Sequence, residues 1–145
     1  MRLTTFSDYS LRVLIYLATD PGRRATIAEI ARAFDVSENH LMKVVHFLGK
    51  AGWLRNVRGK GGGLELARSP DEIRIGAVIH DCETQLPAEC FDSATNTCVI
   101  TGACRLRHAL AEATASFYEV LDRYTLADIT GNHRVLAKIL LRPAA

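Results

Sequence analysis

Thr26-Ile27-Ala28-Glu29-Ile30-Ala31-Arg32-Ala33-Phe34-Asp35-Val36-Ser37-Glu38-Asn39-His40-Leu41-Met42-Lys43-Val44-Val45-His46-Phe47-Leu48-Gly49-Lys50-Ala51-Gly52 decides the fold. Thr26 followed three residues later by Glu29 has the form of a capping box, in which each side chain satisfies a free backbone N–H at a helix start. Ile27, Ile30, Ala31 and Phe34 then recur at the spacing of a single apolar helix face. Asp35-Val36 breaks this helix and Ser37 can cap a second, in which Leu41, Val44, Val45 and Leu48 repeat the spacing until Ala51-Gly52 stops it. Two short amphipathic helices joined by a tight turn predict a helix-turn-helix.

At about 100° per residue the second helix turns Asn39, Lys43, His46 and Lys50 away from its apolar stripe, with His40 on the flank and Ser37 at the start. In this motif the N-terminal part of the second helix enters the major groove, where Asn pairs with adenine and Lys with guanine or phosphate. A polar stripe alone is equally a solvated helix face. The following residues favour DNA: Trp53 to Val57 and Leu64 to Ala67 read as strands joined by Arg58-Gly59-Lys60-Gly61-Gly62-Gly63. A hairpin with a basic glycine tip fits the wing of a winged helix, with Arg58 and Lys60 reaching phosphates or a minor groove. The glycines join two strands, with no GxxxxGK[ST], so a phosphate-binding P-loop is discounted.

Toward the N-terminus, Thr5 to Ala18 predicts a helix that is apolar nearly all round, and such a helix needs cover on several sides. It is expected between the reading unit and another element of this chain or a partner. Asp20-Pro21-Gly22 ends it. Toward the C-terminus, Ser69-Pro70-Asp71 breaks the chain, and Ile73 to Asp81 is a short apolar segment with a strand residue or two and then a helix. From Cys82 to Ala103 neither hydrophobic period is present, so Cys90, Cys98 and Cys104 are carried by a loop. Cys104 opens the longest helix, with Leu106, Leu110, Ala113, Phe117, Val120 and Tyr124 at heptad spacing, which suits an intersubunit pairing or an intramolecular core. Thr125 caps a short helix, Gly131-Asn132 interrupts, and Val135 to Leu141 ends the fold. The expected fold is mainly α with a small β-hairpin wing. Residues 1–68 form a winged helix-turn-helix DNA-binding domain, 69–103 a connector and cysteine-bearing cluster loop, and 104–145 a dimerisation helix and C-terminal helices.

The 145 residues carry a net charge of +2 and four cysteines. That charge hides an asymmetry, because residues 1–68 hold eleven Lys/Arg against six Asp/Glu, and 69–145 seven against ten. A basic first half suits a phosphate backbone and an acidic second half is held away from it. No apolar signal core and no membrane-length apolar run occur, so the expected compartment is the cytoplasm, with no membrane partner. In a reducing compartment four cysteines read as metal ligands or reactive thiols rather than a disulfide framework. No nucleophile is paired with a base and no cofactor fingerprint appears, so no enzyme is expected.

Thiolates are soft ligands for iron–sulfur clusters or zinc, although zinc more often shows C-x2-C spacing. Thiol-based redox sensing is a further reading. The helix start at Cys104, with Arg105 and Arg107, favours negative charge on the sulfur, which serves a metal ligand and an oxidisable thiol alike.

Met1-Arg2-Leu3-Thr4, Phe6-Ser7-Asp8-Tyr9, Leu11-Arg12, Val57 to Gly63, Cys98 to Leu106 and Leu121 to Asp128 together resemble the Rrf-type winged-helix transcriptional regulators, and within them the nitric-oxide-sensing iron–sulfur repressors. The resemblance covers nearly the whole chain. It implies a homodimer that binds double-stranded operator DNA and represses while an iron–sulfur cluster is intact, with nitrosylation or loss of the cluster releasing DNA. The cluster would be one per subunit, [4Fe-4S] rather than [2Fe-2S], with Cys90, Cys98 and Cys104 as ligands. The fourth ligand would be Asp8 from the partner subunit, with Cys82 and His108 as alternatives. A carboxylate suits a soft site poorly, so an Asp-ligated iron would be the labile corner. Asp8 could otherwise be an N-cap of the first helix. His80 and His133 read as ordinary surface or core histidines. Inside the same family an iron or iron–sulfur-status regulator keeps the same three cysteines, and a thiol-based or zinc-binding regulator is a further alternative.

Overall fold

The computed structural model describes residues 3–142, so Met1 and Arg2 of the N-terminal motif lie outside the described residues. Helix α1 spans Thr5–Thr19 and is capped by Thr4, whose hydroxyl accepts from the backbone N–H of Ser7 at 3.2 Å. Asp8 is therefore not the N-cap: it lies inside α1, and its carboxylate pairs with Arg12 one turn on at 2.8 Å. Helix α2 spans Ile27–Phe34 with both halves of the capping box formed, Glu29 N–H donating to Thr26 and Thr26 N–H to Glu29. Asp35 ends it with φ of 51°, the left-handed conformation that turns the chain sharply into the next helix.

Helix α3 spans Glu38–Lys50, with Ser37 at the N-cap position but making no side-chain capping bond. Its Leu41, Val44, Val45 and Leu48 are buried as the periodicity requires. Strands β1 (Leu54–Val57) and β2 (Gly63–Leu66) pair antiparallel, Leu54 opposite Leu66 and Arg55 opposite Glu65. Ala25, ahead of α2, adds a third edge by pairing with Leu64.

Helix α4 (Ile75–Cys82) follows a one-turn 3-10 helix at Pro70–Glu72. The expected strand residues before it are a single bridge, Arg74 to Thr125. Helix α5 spans Arg105–Asp122 with Cys104 as its N-cap residue, α6 spans Leu126–Ile129, and α7 spans His133–Leu140. Thr125 and Asp128 form a capping box at α6. At Gly76 an added Cβ would strike the Asp122 carboxylate, so this glycine lets α4 and α5 approach closely.

Helix α1 is the hub. It packs against α2, α3 and β2 of the reading unit and against α4, α6 and α7 of the second half, as its all-round apolarity predicts. Val13 and Leu14 are fully buried there and join one continuous core with Ile30, Leu48 and Leu64 from the first half and Ile73, Val78, Ile79 and Leu126 from the second. Each such side chain stabilises the fold by about 1.5–3 kcal/mol. Helix α5 has no buried residue: Phe117, Tyr118 and Leu121 lean on the core, while Leu106 and Val120, and Tyr124 just past its end, stay exposed.

Candidate functional site

Two regions carry the candidate residues. On α3 the side chains of Asn39, His40, Lys43, His46 and Lys50 are all exposed, and so is Ser37 at its start. This is the outward face that the apolar stripe demands. Met42 shares it at 51 % exposure, an apolar side chain suited to a thymine methyl that the polar pattern did not single out. The N-terminal turns of α1 brace α3: Phe6 meets Phe47 edge-on with ring centroids 5.2 Å apart, and Tyr9 lies 6.4 Å from His40.

The wing tip is held open by glycine chemistry. Gly59, Gly61 and Gly63 have φ of 94°, 75° and 143°, and a Cβ on Gly62 would collide with the Val57 carbonyl. Arg58 and Lys60 are exposed at this tip. Glu65 accepts from Arg24 at 2.7 Å and from Arg55 at 2.5 Å, and these two guanidiniums hold its carboxyl below the usual carboxylate range.

The second region is the loop between α4 and α5. Short polar side chains shape it: Asp92 accepts from Ala94 N–H, Glu89 from Thr97 N–H, and Asn96 from Cys98 N–H. Arg107 on the first turn of α5 donates to the Cys90 carbonyl at 3.2 Å, which ties Cys90 to the helix end where Cys104 holds the N-cap position without a side-chain capping bond. Thr101 donates to the Cys98 carbonyl at 2.7 Å and opens the 3-10 turn that leads to Cys104. All three cysteines are free thiols and none is buried. Val99 is 97 % exposed, so the loop carries little apolar packing at its crest.

Three uncommitted soft donors within one loop, next to a helix N-terminus and Arg107, fit a thiolate-bound iron–sulfur group in chemistry. Among the described residues, however, no three His, Cys, Asp or Glu side chains stand close enough together to hold a metal ion. The loop ties Cys90 and Cys104 to the start of α5 without converging the three thiols. Asp8 is half-buried on α1 and bound to Arg12 of the same chain. His108 is exposed on α5.

Cys82 does not begin the loop. It is the last residue of α4 and sits in the core at 6 % exposure, where burial pushes its thiol up and a hydrogen bond with Ser10 opposes the shift. Its hydrophobic surroundings drew it in, since a neutral thiol behaves as a small apolar side chain.

The family model described as "Rrf2: Iron-dependent Transcriptional regulator" matches residues 3–132. The chain belongs to the Rrf2 family. It is 45 % identical to the HTH-type transcriptional regulator NsrR of Bacillus subtilis (strain 168) over 142 residues, covering 97 % of each chain. It is 47 % identical to that of Geobacillus kaustophilus (strain HTA426), also over 142 residues and 97 % of each. Among solved structures it resembles T. potens IscR with a TM-score of 0.74 and 28 % identity, covering 91 % of this chain and 88 % of that one. It also resembles CymR, the global cysteine regulator of B. subtilis, with a TM-score of 0.69 and 27 % identity, covering 91 % and 98 %. This Rrf2 chain is a DNA-binding transcriptional repressor with the expected mainly helical winged-helix architecture.

Sequence reasoning missed the residues that join the two regions of this Rrf2 chain. Glu83, first after α4, accepts from Thr4 N–H at 3.0 Å and Ser7 Oγ at 2.8 Å, clasping the start of α1. It lines a cavity of about 500 Å³ with Leu86, Leu110 and Phe117. Asp81, two residues earlier, accepts from the Trp53 indole at 2.9 Å. Nothing local marks either residue, because the partners lie far away in sequence and the contacts exist only after α1, β1 and α4 have packed.

Proposed function

We propose that a homodimer of this chain represses transcription in the cytoplasm and releases its operator in response to nitric oxide, through an iron–sulfur cluster held by Cys90, Cys98 and Cys104. Cluster stoichiometry is one per subunit, as [4Fe-4S]. When bound, the cluster supplies a centre that reacts with nitric oxide, which a packed protein core does not. The observation that carries the reading is the placement of three free thiols on one loop directly ahead of the exposed helix α5, in a chain whose other half is a winged helix.

The residues of this chain divide the work. Ser37, Asn39, His40, Lys43, His46 and Lys50 face the major groove, and Arg58 and Lys60 reach the flanking backbone or minor groove. Leu106 and Val120, exposed on α5, and Tyr124 just past its end meet their counterparts across a two-fold axis. Asp8 of the partner subunit is the fourth ligand. Asp8 sits between Phe6 and Tyr9, the two residues that brace α3, so loss of this ligand is felt at the reading helix. Burial in the core argues against Cys82 as that ligand. The segments 1–68, 69–103 and 104–145 correspond to reading, sensing and pairing.

A second reading, control by iron or cluster supply, is favoured by the family's description as iron-dependent and by the likeness to IscR. One experiment addresses both. Anaerobically purified protein is expected to be coloured, to contain iron and sulfide, and to lose visible absorption and DNA affinity in step as nitric oxide is titrated in. Cys98→Ala is expected to lose iron and DNA binding together. Unchanged iron content in Cys98→Ala, or a colourless anaerobic protein holding one zinc per chain, would refute the cluster. Affinity that follows iron supply but not nitric oxide selects the second reading.

A further inference from the structure

We propose that Arg24, in the link between α1 and α2, is a positioning residue for the wing. Through Glu65 and the Gly61 carbonyl it sets where Arg58 and Lys60 stand relative to α3, and it thereby governs sequence discrimination without itself contacting phosphate. The inference rests on the wing reading given above.

The geometry is a brace between an otherwise unrelated link and the hairpin. Arg24 Nε donates to Glu65 Oε2 at 2.7 Å, and one of its terminal nitrogens donates to the Gly61 carbonyl at 3.1 Å. Among the described residues this is the only side-chain hydrogen bond made to the tip. Arg55, cross-strand from Glu65, donates to the other carboxylate oxygen at 2.5 Å. Beneath the brace, Ala25 and Leu64 exchange backbone hydrogen bonds of 3.1 and 2.7 Å. An added Cβ on Gly63 would lie 3.0 Å from the Ala25 carbonyl, so the link and β2 are in close backbone contact.

This arrangement sorts the cations near the tip. Arg24 and Arg55 are committed to Glu65, whereas Arg58 and Lys60 make no ion pair among the described residues. An exposed ion pair adds little to stability. Its effect here is on freedom: a tip of glycines at positive φ has many accessible conformations, and a free tip can find phosphates on any duplex, whereas a held one reaches them only where α3 is also seated in register. Arg24 supplies that restriction from a rigid position, since the residue next to it is already paired with β2.

The test uses anaerobically purified wild-type protein to enrich a duplex from a random pool. Affinity for that duplex and for a scrambled one is then measured across a salt series. Arg24→Ala is expected to lower the ratio of the two affinities about tenfold with an unchanged salt slope and melting temperature. Glu65→Ala is expected to do the same, although it releases two cations. Arg24→Lys, which keeps the charge but loses the planar fork, is expected to behave like Arg24→Ala. The proposal is overturned if Arg24→Ala weakens both duplexes equally with a slope smaller by about one, the mark of a phosphate contact, or if the ratio does not move. Arg58→Ala is the separate check on the wing: it is expected to reduce the slope by about one, and a slope and affinity equal to wild type would overturn the wing reading and this proposal with it.

Discussion

The indole N–H of Trp53 donates to the Asp81 carboxylate at 2.9 Å, joining the residue that leads into the wing to the last turn of α4. The Arg68 guanidinium lies 4.7 Å from the same ring's centroid and covers it. Trp53 is the only tryptophan, so this junction has its own fluorescence. Asp81→Ala leaves a buried indole donor without its partner, at a cost of about 1–3 kcal/mol. Urea unfolding followed by Trp53 emission should show a lower midpoint of that order, and a midpoint equal to wild type would count against the contact.

Helix α5 exposes Leu106 and Val120 but leans Leu121 on the core. Val120→Glu should therefore shift the protein from dimer to monomer in sedimentation velocity and reduce operator affinity, with the far-ultraviolet circular dichroism preserved. Leu121→Ala should instead lower the melting temperature, by removing a partly buried side chain worth about 1–2 kcal/mol at this degree of burial. A Val120→Glu dimer of undiminished affinity would exclude this face as the interface.

Lys43 stands on the exposed side of α3, away from Leu41, Val44 and Leu48. Lys43→Ala should weaken operator binding by about 1–3 kcal/mol and leave iron content and visible absorption as in wild type. Equal affinity by gel shift or fluorescence anisotropy would show that α3 is not the reading helix.

Two capping carboxylates contribute stability that acid removes. Hydrogen bonds from Thr26 hold Glu29 below its ordinary range, and those from Thr125 hold Asp128 below its own. A carboxylate depressed in the folded state contributes stability above its unfolded value and loses it as pH falls through the depressed folded value. Thermal melts should fall on acidification from neutral pH through the carboxylate range. In Glu29→Gln that fall should be shallower, and an identical pH profile would remove the capping box from the account.

Cys82 reverses the sign. Burial raises its thiol, so its contribution to stability is complete below the unfolded thiol range and is lost as pH rises toward the raised folded value. In protein freed of metal, iodoacetamide followed by mass spectrometry should label Cys90, Cys98 and Cys104 well before Cys82. Equal rates for all four would place Cys82 outside the core.

Much of this was legible because the determining interactions are local. Thr26 and Glu29 announce α2, the spacing of Leu41, Val44, Val45 and Leu48 fixes the inward side of α3, and the glycines from Gly59 to Gly63 mark the wing. The all-round apolarity of α1 predicts cover on several sides, by the reading unit and by another element of this chain or of a partner, and α4, α6 and α7 of the same chain supply it. Legibility ended where partners are distant in sequence. The segment Ile73 to Cys82 is too short and too uniformly apolar to show a period, so the expected helix stops at Asp81 and nothing in the sequence marks Cys82 as its last, inward-facing residue. Asp8 has the residue type of a helix cap, but Thr4 caps α1 and leaves Asp8 for Arg12. The clasp of Glu83 on Thr4 and Ser7 depends on the packing of α4 against α1, which no single segment encodes.

The pairing of Ala25 with Leu64 makes the connection from α1 to α2 inelastic. A residue inserted between Asp20 and Arg24 would have to be absorbed by a stretch whose far end is stitched to β2, so the wing would shift with it. The connection from α4 to α5 is the opposite, an arch fastened mainly by its own polar side chains, with Val99 in solvent at its crest. A change of length is thus expected to be absorbed where the thiols are carried and resisted between α1 and α2, so that, under the proposed function, a sensing segment could be lengthened without re-aiming the parts proposed to read DNA.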